Sequence, residues 1–490
     1  MILVKNKLNE YIVEGTNYFK QNNFYQASIV FKRALKKFPQ QHSLYTYLIP
    51  CLINQHKYEE ALVYAKKFHQ SNTMLEFSSI YLGVIYYQKT KLELSLKYFD
   101  MVLKLNSENY DALVNKAAVL NKLDQNSEAK KLLDKALKIN PNRPVAYRNY
   151  ASVYEDEFKL DQAETYYKQA IQIDQRDHQS IFALSQLQLS KQNYEIGWQN
   201  YEHRWLKGNA IYKYAQIPRL SNLDDIKGKK ILVWHEQGLG DTIQFSRYVR
   251  RLIGLGAEIV FEVQKPLIEF LKSQLSCEVT GEISETNFDY QSPLLSLPLI
   301  FGNEEENFKF VGPYFKCSDE KIKAWRERLD LNENKLNLGI TISGNMKQVN
   351  EDRRKIPLKY FIDYLEFSKI FIIQKDISNS ELNVINKNDD LIYLGKNKHW
   401  KNMTDTAAIL KNMDYLVSIC TSNIHLAGSM NLDCVLLLSR PAEWRWTQAN
   451  ETSPNWYNSV NILRQKERRN WDTIKDDLKK ILKNRLAEKF

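Results

Sequence analysis

The 490-residue chain carries 69 Lys and Arg against 58 Asp and Glu, a net charge of +11, and is 43% hydrophobic. That length exceeds a single core, and the apolar share excludes extended disorder. The first residues, MILVKNKLNE, meet a charge too early for a signal-peptide core, and no apolar run reaches the length of a bilayer span. Five scattered cysteines (Cys51, Cys277, Cys317, Cys420, Cys434) form no CxxC pair, so neither a disulfide framework nor a zinc site is expected, and a reducing cytoplasm is. The basic residues are diffuse, with short clusters such as Lys466-Glu467-Arg468-Arg469 and no nucleic-acid-binding signature. They read as a solvated surface open to acidic partners, with no nucleic acid among the expected ligands.

The N-terminal part repeats. Small residues recur at Ala27, Ala61, Ser95, Ala129, Ala163 and Gly197, each step being 34. Phe31, Ala65, Phe99, Leu133, Tyr167 and Tyr201 follow four positions later, and Ala34, Phe68, Val102, Ala136 and Ala170 three beyond those. Stacked helix pairs need this: a small side chain where helices cross and a larger one filling the groove beside it. Gly15, Gly83, Ala117 and Ala151 suit the close-packing position of each first helix, while Pro39 and Pro141 stop second helices. The second repeat departs from the pattern, with Ile49 where a small residue is expected. Residues 8–205 resemble tetratricopeptide repeats, five plus a sixth running into NYEIGWQNYEHRW (194–205). The resemblance implies an all-α solenoid that binds a protein or peptide, or else props up the C-terminal region or self-associates.

Composition then changes. Only two of the 16 glycines, and none of the nine tryptophans, precede residue 190. A connector is expected at 206–228. From 229 short β-rich runs alternate with helix-length segments: KKILVWHE, AEIVFEV, KLNLGITIS, KIFIIQK, DYLVSIC and DCVLLLS. That alternation predicts parallel sheets from βαβ units, in halves of about 229–325 and 335–490, with ligands at the carboxyl ends of strands.

Three stretches come directly after predicted strands and offer polar chemistry. In HEQGLGDTIQFSRYVRRL (235–252), Gly238 and Gly240 let backbone approach a ligand and Asp241 stands at the mouth of the turn, although any tight strand-to-helix turn uses glycine. In SICTSNIHLAGSMN (418–431), Thr421, Ser422 and Asn423 open a helix and suit a phosphate or ordinary capping, with His425 one turn in. In SGNMKQVNEDRRKIPL (343–358), Asn345, Arg353 and Arg354 suit a diphosphate or a solvated basic loop. No GxSxG elbow and no Walker-type loop occurs.

Together and in order, these stretches resemble glycosyltransferase family 9, the heptosyltransferase-like group. GWQNYEHRW, EQGLGDTIQFSRY, SPLLSLP, SGN, DRRKIPL, DTAAIL, SNIHLAG, EWRW, SPNWYNSV and LRQ carry the likeness across nearly all of the C-terminal region. It is similar above all to bacterial members with tetratricopeptide repeats ahead of the domain. The resemblance implies a GT-B fold, two Rossmann-like domains facing across a cleft, and inverting, metal-independent transfer from a nucleotide-diphosphate sugar to a protein or glycan. Asp241 would be the catalytic base. Gly238, Gly240, Asn345, Arg353, Arg354, Thr421, Ser422, Asn423 and His425 would bind the donor, with no metal and no cofactor. Cys420 stands where the family usually has aspartate, and Lys355 follows Arg354 where Arg-Ser is usual before Ile-Pro. The first departure admits a second reading, a non-catalytic interaction scaffold with a degenerate domain. Repeat-bearing O-linked N-acetylglucosamine transferases share the layout but fit these motifs less well.

Overall fold

The computed structural model describes residues 2–207, 212–284, 286–302, 312–344, 351–440, 443–446 and 456–490. The chain divides into two compact units, Met1–Leu187 with Asn200–Tyr212, and Gln188–Gln199 with Lys213–Phe490.

The N-terminal region is a solenoid of tetratricopeptide repeats. Its first five helix pairs are Ile2–Lys20 with Phe24–Lys37, Tyr45–Asn54 with Tyr58–Gln70, Leu75–Gln88 with Leu92–Leu105, Tyr110–Lys122 with Asn126–Ile139, and Pro144–Asp156 with Leu160–Ile173. A sixth, His178–Ser190 with Tyr194–Tyr201, carries the chain from one unit into the other. The second helix of each pair begins 34 residues after that of the pair before. The turns repeat as faithfully: Asn22, His56, Thr90, Asp124, Phe158 and Gln192, again 34 apart, are all left-handed, with φ between 56° and 64°. The next N–H in each case reaches back five residues to a carbonyl at 2.8–3.0 Å, so each first helix ends in a Schellman motif. Glycine is the usual residue there, and this chain uses it in none of the six.

The small–large pairing explains both the packing and the irregular second repeat. A Cβ on Gly15 would lie 2.4 Å from the Phe31 ring, and one on Gly83 would lie 2.6 Å from Phe99. The same sixteen-residue offset pairs Ala117 with Leu133 and Ala151 with Tyr167, all buried. Ile49 and Ala65 reverse the order, both fully buried in one core cluster. The second repeat keeps the summed volume and exchanges which helix supplies it. The same helix contains Pro50, whose missing N–H would have bonded the Thr46 carbonyl; the Tyr81 hydroxyl donates to that carbonyl instead, at 3.2 Å.

The second unit contains two parallel sheets with helices between most of the strands. In the first, β1 (Lys230–Trp234), β2 (Glu258–Glu262), β3 (Glu278–Thr280) and β4 (Tyr290–Pro293) lie in the order β3-β2-β1-β4. In the second, β5 (Leu336–Thr341), β6 (Ser368–Ile372), β7 (Leu391–Tyr393), β8 (Tyr415–Ser418), β9 (Cys434–Leu438) and β10 (Val460–Arg464) lie in the order β10-β9-β8-β5-β6-β7. This is doubly wound topology, with reversals of strand order beside β1 and β5. Strands β5, β6, β8 and β9 are buried along their whole length, which is why they read as mainly apolar runs without a polar alternation.

The stretch before β1 contributes to the first sheet. Arg219 forms a parallel bridge with Gln291, and the Leu220 N–H and Gln291 N–H complete it at 2.9 and 2.8 Å. Lys213 and the Tyr214 hydroxyl both reach Glu262 at 3.0 Å. The C-terminal helix Lys475–Lys489 buries Leu478 and Leu482 in the core of the second sheet.

Candidate functional site

Strand β1 leads through Gly238 into the helix Leu239–Gly254. The Gly238 N–H donates to Asp241 Oδ2 at 2.8 Å, so the Asp241 carboxylate caps the first turn of its own helix. Its other oxygen is held by Arg445 Nη2 in an ion pair, 204 residues away in the sequence. Arg445 follows β9 and also pairs with Glu443, and its guanidinium lies 4.2 Å from the centre of the Trp444 ring. The Asp241 and Arg445 side chains are 17% and 6% exposed. A pair this buried is held because each end has further partners; removing one end strands the other charge.

Gly240 is where a helix of the first sheet meets one of the second. A Cβ there would lie 2.7 Å from Cδ2 of His425, on the helix Ser422–Ser429. His425 is buried, its Nδ1 3.1 Å from the Tyr457 hydroxyl and its ring stacked on Trp446 at 5.2 Å. Burial, with the charges of Arg445 and Arg247 nearby, holds its pKa well below the usual histidine value, so it is neutral. Arg247, one helix face on from Asp241, lies 5.0–5.3 Å from the rings of Tyr314, Trp456 and Tyr457 and donates to the Trp456 carbonyl at 3.0 Å. It is a second polar link between the two halves of the unit.

After β8, Thr421 caps the helix Ser422–Ser429 in extended conformation, its hydroxyl 3.3 Å from that of Ser418. Asn423 faces inward: its amide donates to Thr341 Oγ1 at 2.9 Å and to the Ile373 carbonyl at 2.8 Å, tying the helix to the ends of β5 and β6. Cys420 Sγ accepts from Trp446 Nε1 at 3.0 Å, and burial pushes its thiol up to about 12, so it is protonated. Arg354 donates to the Cys420 carbonyl at 3.0 Å, and Arg353 and Arg354 close the short helix Glu351–Arg354. The turn after β5 is filled from within, since the Ile342 and Ser343 N–H groups both donate to Gln374 Oε1, at 3.0 and 3.2 Å. Asn345 lies outside the described residues.

Loops leaving the carboxyl ends of β1, β8 and β9 thus converge, joining Gly238, Gly240 and Asp241 to His425 and, through Arg445 and Trp446, to Cys420. Thr421 and Ser422, only partly buried, stand beside Arg354 and Cys420, while Asn423 and His425 are committed to the fold. Arg445, Glu443, Trp446 and Arg247 lie in stretches that carry the resemblance, EWRW and EQGLGDTIQFSRY, but were not expected as site residues. The alternation of aromatic and charged residues in EWRW was the available signal, because an arginine between two tryptophans suits a guanidinium packed on rings. Among the described residues no group of three or more His, Cys, Asp and Glu is placed to hold a metal.

Residues 108–176 match the family model of the tetratricopeptide repeat. Protein FlbA of Caulobacter vibrioides is 20% identical over 441 residues, covering 77% of this chain and 74% of that protein. The repeats make up less than half of the chain, so that likeness extends well into the α/β unit. Among solved structures, a thermophilic TPR protein of Thermus thermophilus is 19% identical, covering 37% of this chain and 99% of its own, with a TM-score of 0.35. Pseudomonas aeruginosa pilF is 18% identical, covering 42% of this chain and 93% of its own, with a TM-score of 0.33.

Proposed function

We propose that the α/β unit is a GT-B transferase of the family 9 type, moving a sugar from a nucleotide-diphosphate sugar, and that the repeats recruit the protein or glycan acceptor or a partner. The observation that supports this most is the convergence of carboxyl-end loops from two doubly wound sheets on the Asp241–Arg445 pair. Ligands of such sheets bind outside the carboxyl ends of the strands. In the reaction an acceptor hydroxyl attacks the anomeric carbon while the bond to the diphosphate breaks, its electron pair leaving with the phosphate oxygen. The hydroxyl proton passes to Asp241. Both Asp241 oxygens are engaged, one by the Gly238 N–H and one by Arg445, so the base acts only when Arg445 turns away. The freed guanidinium is then a cation for the departing diphosphate, alongside Arg354, Thr421 and Ser422.

A second reading, a scaffold without catalysis, is favoured by a different observation: Asn423, His425 and Cys420 already have partners within the fold. Turnover of a panel of nucleotide-diphosphate sugars separates the two. The transferase reading predicts product release that falls about a hundredfold or more in Asp241→Asn, which keeps the capping acceptor but not the base. Absence of turnover across the panel, with and without candidate protein acceptors, would leave the scaffold.

A further inference from the structure

A concavity of about 340 Å³ opens elsewhere in the α/β unit and shares no residue with the Asp241–Arg445 cluster. One part of its lining comes from the helix Asp319–Arg326 and the residues after it, Lys321 and Arg328; another comes from His399 and Lys401, between β7 and the helix Met403–Lys411. Two carboxylates also line it, and both are engaged. Asp405, 4% exposed, accepts from the Lys401 N–H at 2.9 Å, the Asn402 N–H at 3.3 Å and Trp325 Nε1 at 3.1 Å, with Lys321 Nζ 3.5 Å away. Glu269 accepts from the Asn402 amide.

Arg328 and Lys401 differ. Neither has a carboxylate partner within ion-pair distance among the described residues, and Arg328 uses one N–H on the Ala324 carbonyl at 2.8 Å. The rest of its fork, the Lys401 ammonium and the His399 imidazole are therefore donors with no carboxylate at ion-pair distance, and the lining carries three cations, Lys321, Arg328 and Lys401, against the two carboxylates. The volume equals the liquid share of roughly eleven waters, ample for a phosphate and its first hydration. Two cations and an imidazole around such a concavity match a tetrahedral dianion, for which arginine supplies paired donors and lysine a point charge.

We propose that this concavity binds a phosphate group, held by Arg328 and Lys401 with His399 beside them. It does not depend on the transferase reading. Free inorganic phosphate and the phosphoryl end of a nucleotide present the same chemistry, and the test separates them. Unfolding midpoints of the full chain are measured against sodium phosphate, pyrophosphate and a nucleoside diphosphate, with chloride holding ionic strength constant. Phosphate is expected to raise the midpoint saturably, and R328E/K401E to weaken its half-saturation at least about tenfold, while K483E, at an exposed lysine of the C-terminal helix outside the concavity, leaves it unchanged. Should R328E/K401E fail to fold, R328Q/K401Q carries the same reading with neutral side chains. If only the nucleotide acts and the double variants abolish its effect, the ligand is a nucleotide phosphate. The proposal is overturned by no shift with any of the three, by a phosphate shift that survives in the double variants, or by a shift confined to pyrophosphate or the nucleotide that the double variants keep and R354A removes, which is the donor site's.

Discussion

The two regions hold themselves together in opposite ways. In the solenoid one contact is made again and again: the same left-handed turn, the same sixteen-residue pairing of small with large, the same helix start every 34 residues. A fault in one copy can be offset within that copy, as Ile49 and Ala65 show by exchanging roles. In the α/β unit each decisive contact occurs once. Asp241 has one arginine, Gly240 meets one histidine, and Cys420 receives one indole N–H. Repetition makes a region tolerant and easy to read; single contacts between residues far apart in sequence make a region specific and easy to break.

The sharpest break is at Arg445. Arg445→Ala leaves Asp241 and Glu443 without their cation and is expected to destabilise the α/β unit by about 3 kcal/mol. All nine tryptophans lie at or beyond Trp198, so their fluorescence follows mainly this unit while helical circular dichroism follows the repeats. The fluorescence midpoint in denaturant should fall more than the helical one, to which the helices of the α/β unit contribute the smaller part; equal shifts in both would contradict the separation.

Tolerance in the solenoid is tested next. Gly83→Ala forces a Cβ to within 2.6 Å of Phe99 and is expected to cost about 2 kcal/mol. Adding Phe99→Leu recreates the Ala117–Leu133 pairing and should recover at least half of that loss. Failure to recover would mean that the repeats are not interchangeable modules.

A third test uses pH. Glu155 is largely buried and bonded by the Tyr167 hydroxyl at 2.7 Å, and burial raises its carboxyl to about 7. The folded-state value lies above the unfolded one, so the native form binds the extra proton and its advantage is lost as pH rises through about 7. Glu155→Gln, neutral at every pH, should therefore stabilise the chain by about 1–2 kcal/mol near pH 8 relative to the parent. The gain should vanish below about pH 4.5, and equal stability across the range would show that the carboxyl is not desolvated.

The smallest expected effect is at the repeated turn. Thr90 is β-branched and sits at φ 56°, where such residues are strained. Thr90→Gly is expected to stabilise by about 1 kcal/mol, read from the same helical transition. A loss would mean that the side chain contributes more than the strain removes.

These contrasts also explain what the sequence disclosed. The repeats were legible because period and residue size agree at many positions, and β1, β2, β5, β6, β8 and β9 were legible as apolar runs. Strands β3, β4, β7 and β10 were not. They are three to five residues long, and β4 reads YQSP, with glutamine and proline in place of an apolar alternation. The turn holding Gly238, Gly240 and Asp241 was placed correctly after β1, because glycine and an N3 acid mark such a start. Its partner was out of reach, since no local pattern links Asp241 to Arg445. For Asn423 the residue type suggested a ligand contact, but the type does not disclose direction, and its amide turns to Thr341 and Ile373.

A nucleotide-sugar donor site at the carboxyl ends of the two sheets, proposed above, is open to a direct test. Calorimetric titration of the full chain with nucleoside diphosphates tests it most directly, alongside Arg354→Ala and Asp241→Asn. Saturable binding of one nucleotide is expected, weakened about tenfold by Arg354→Ala and little changed by Asp241→Asn. Binding of no nucleotide, or binding that Arg354→Ala leaves untouched, would contradict it.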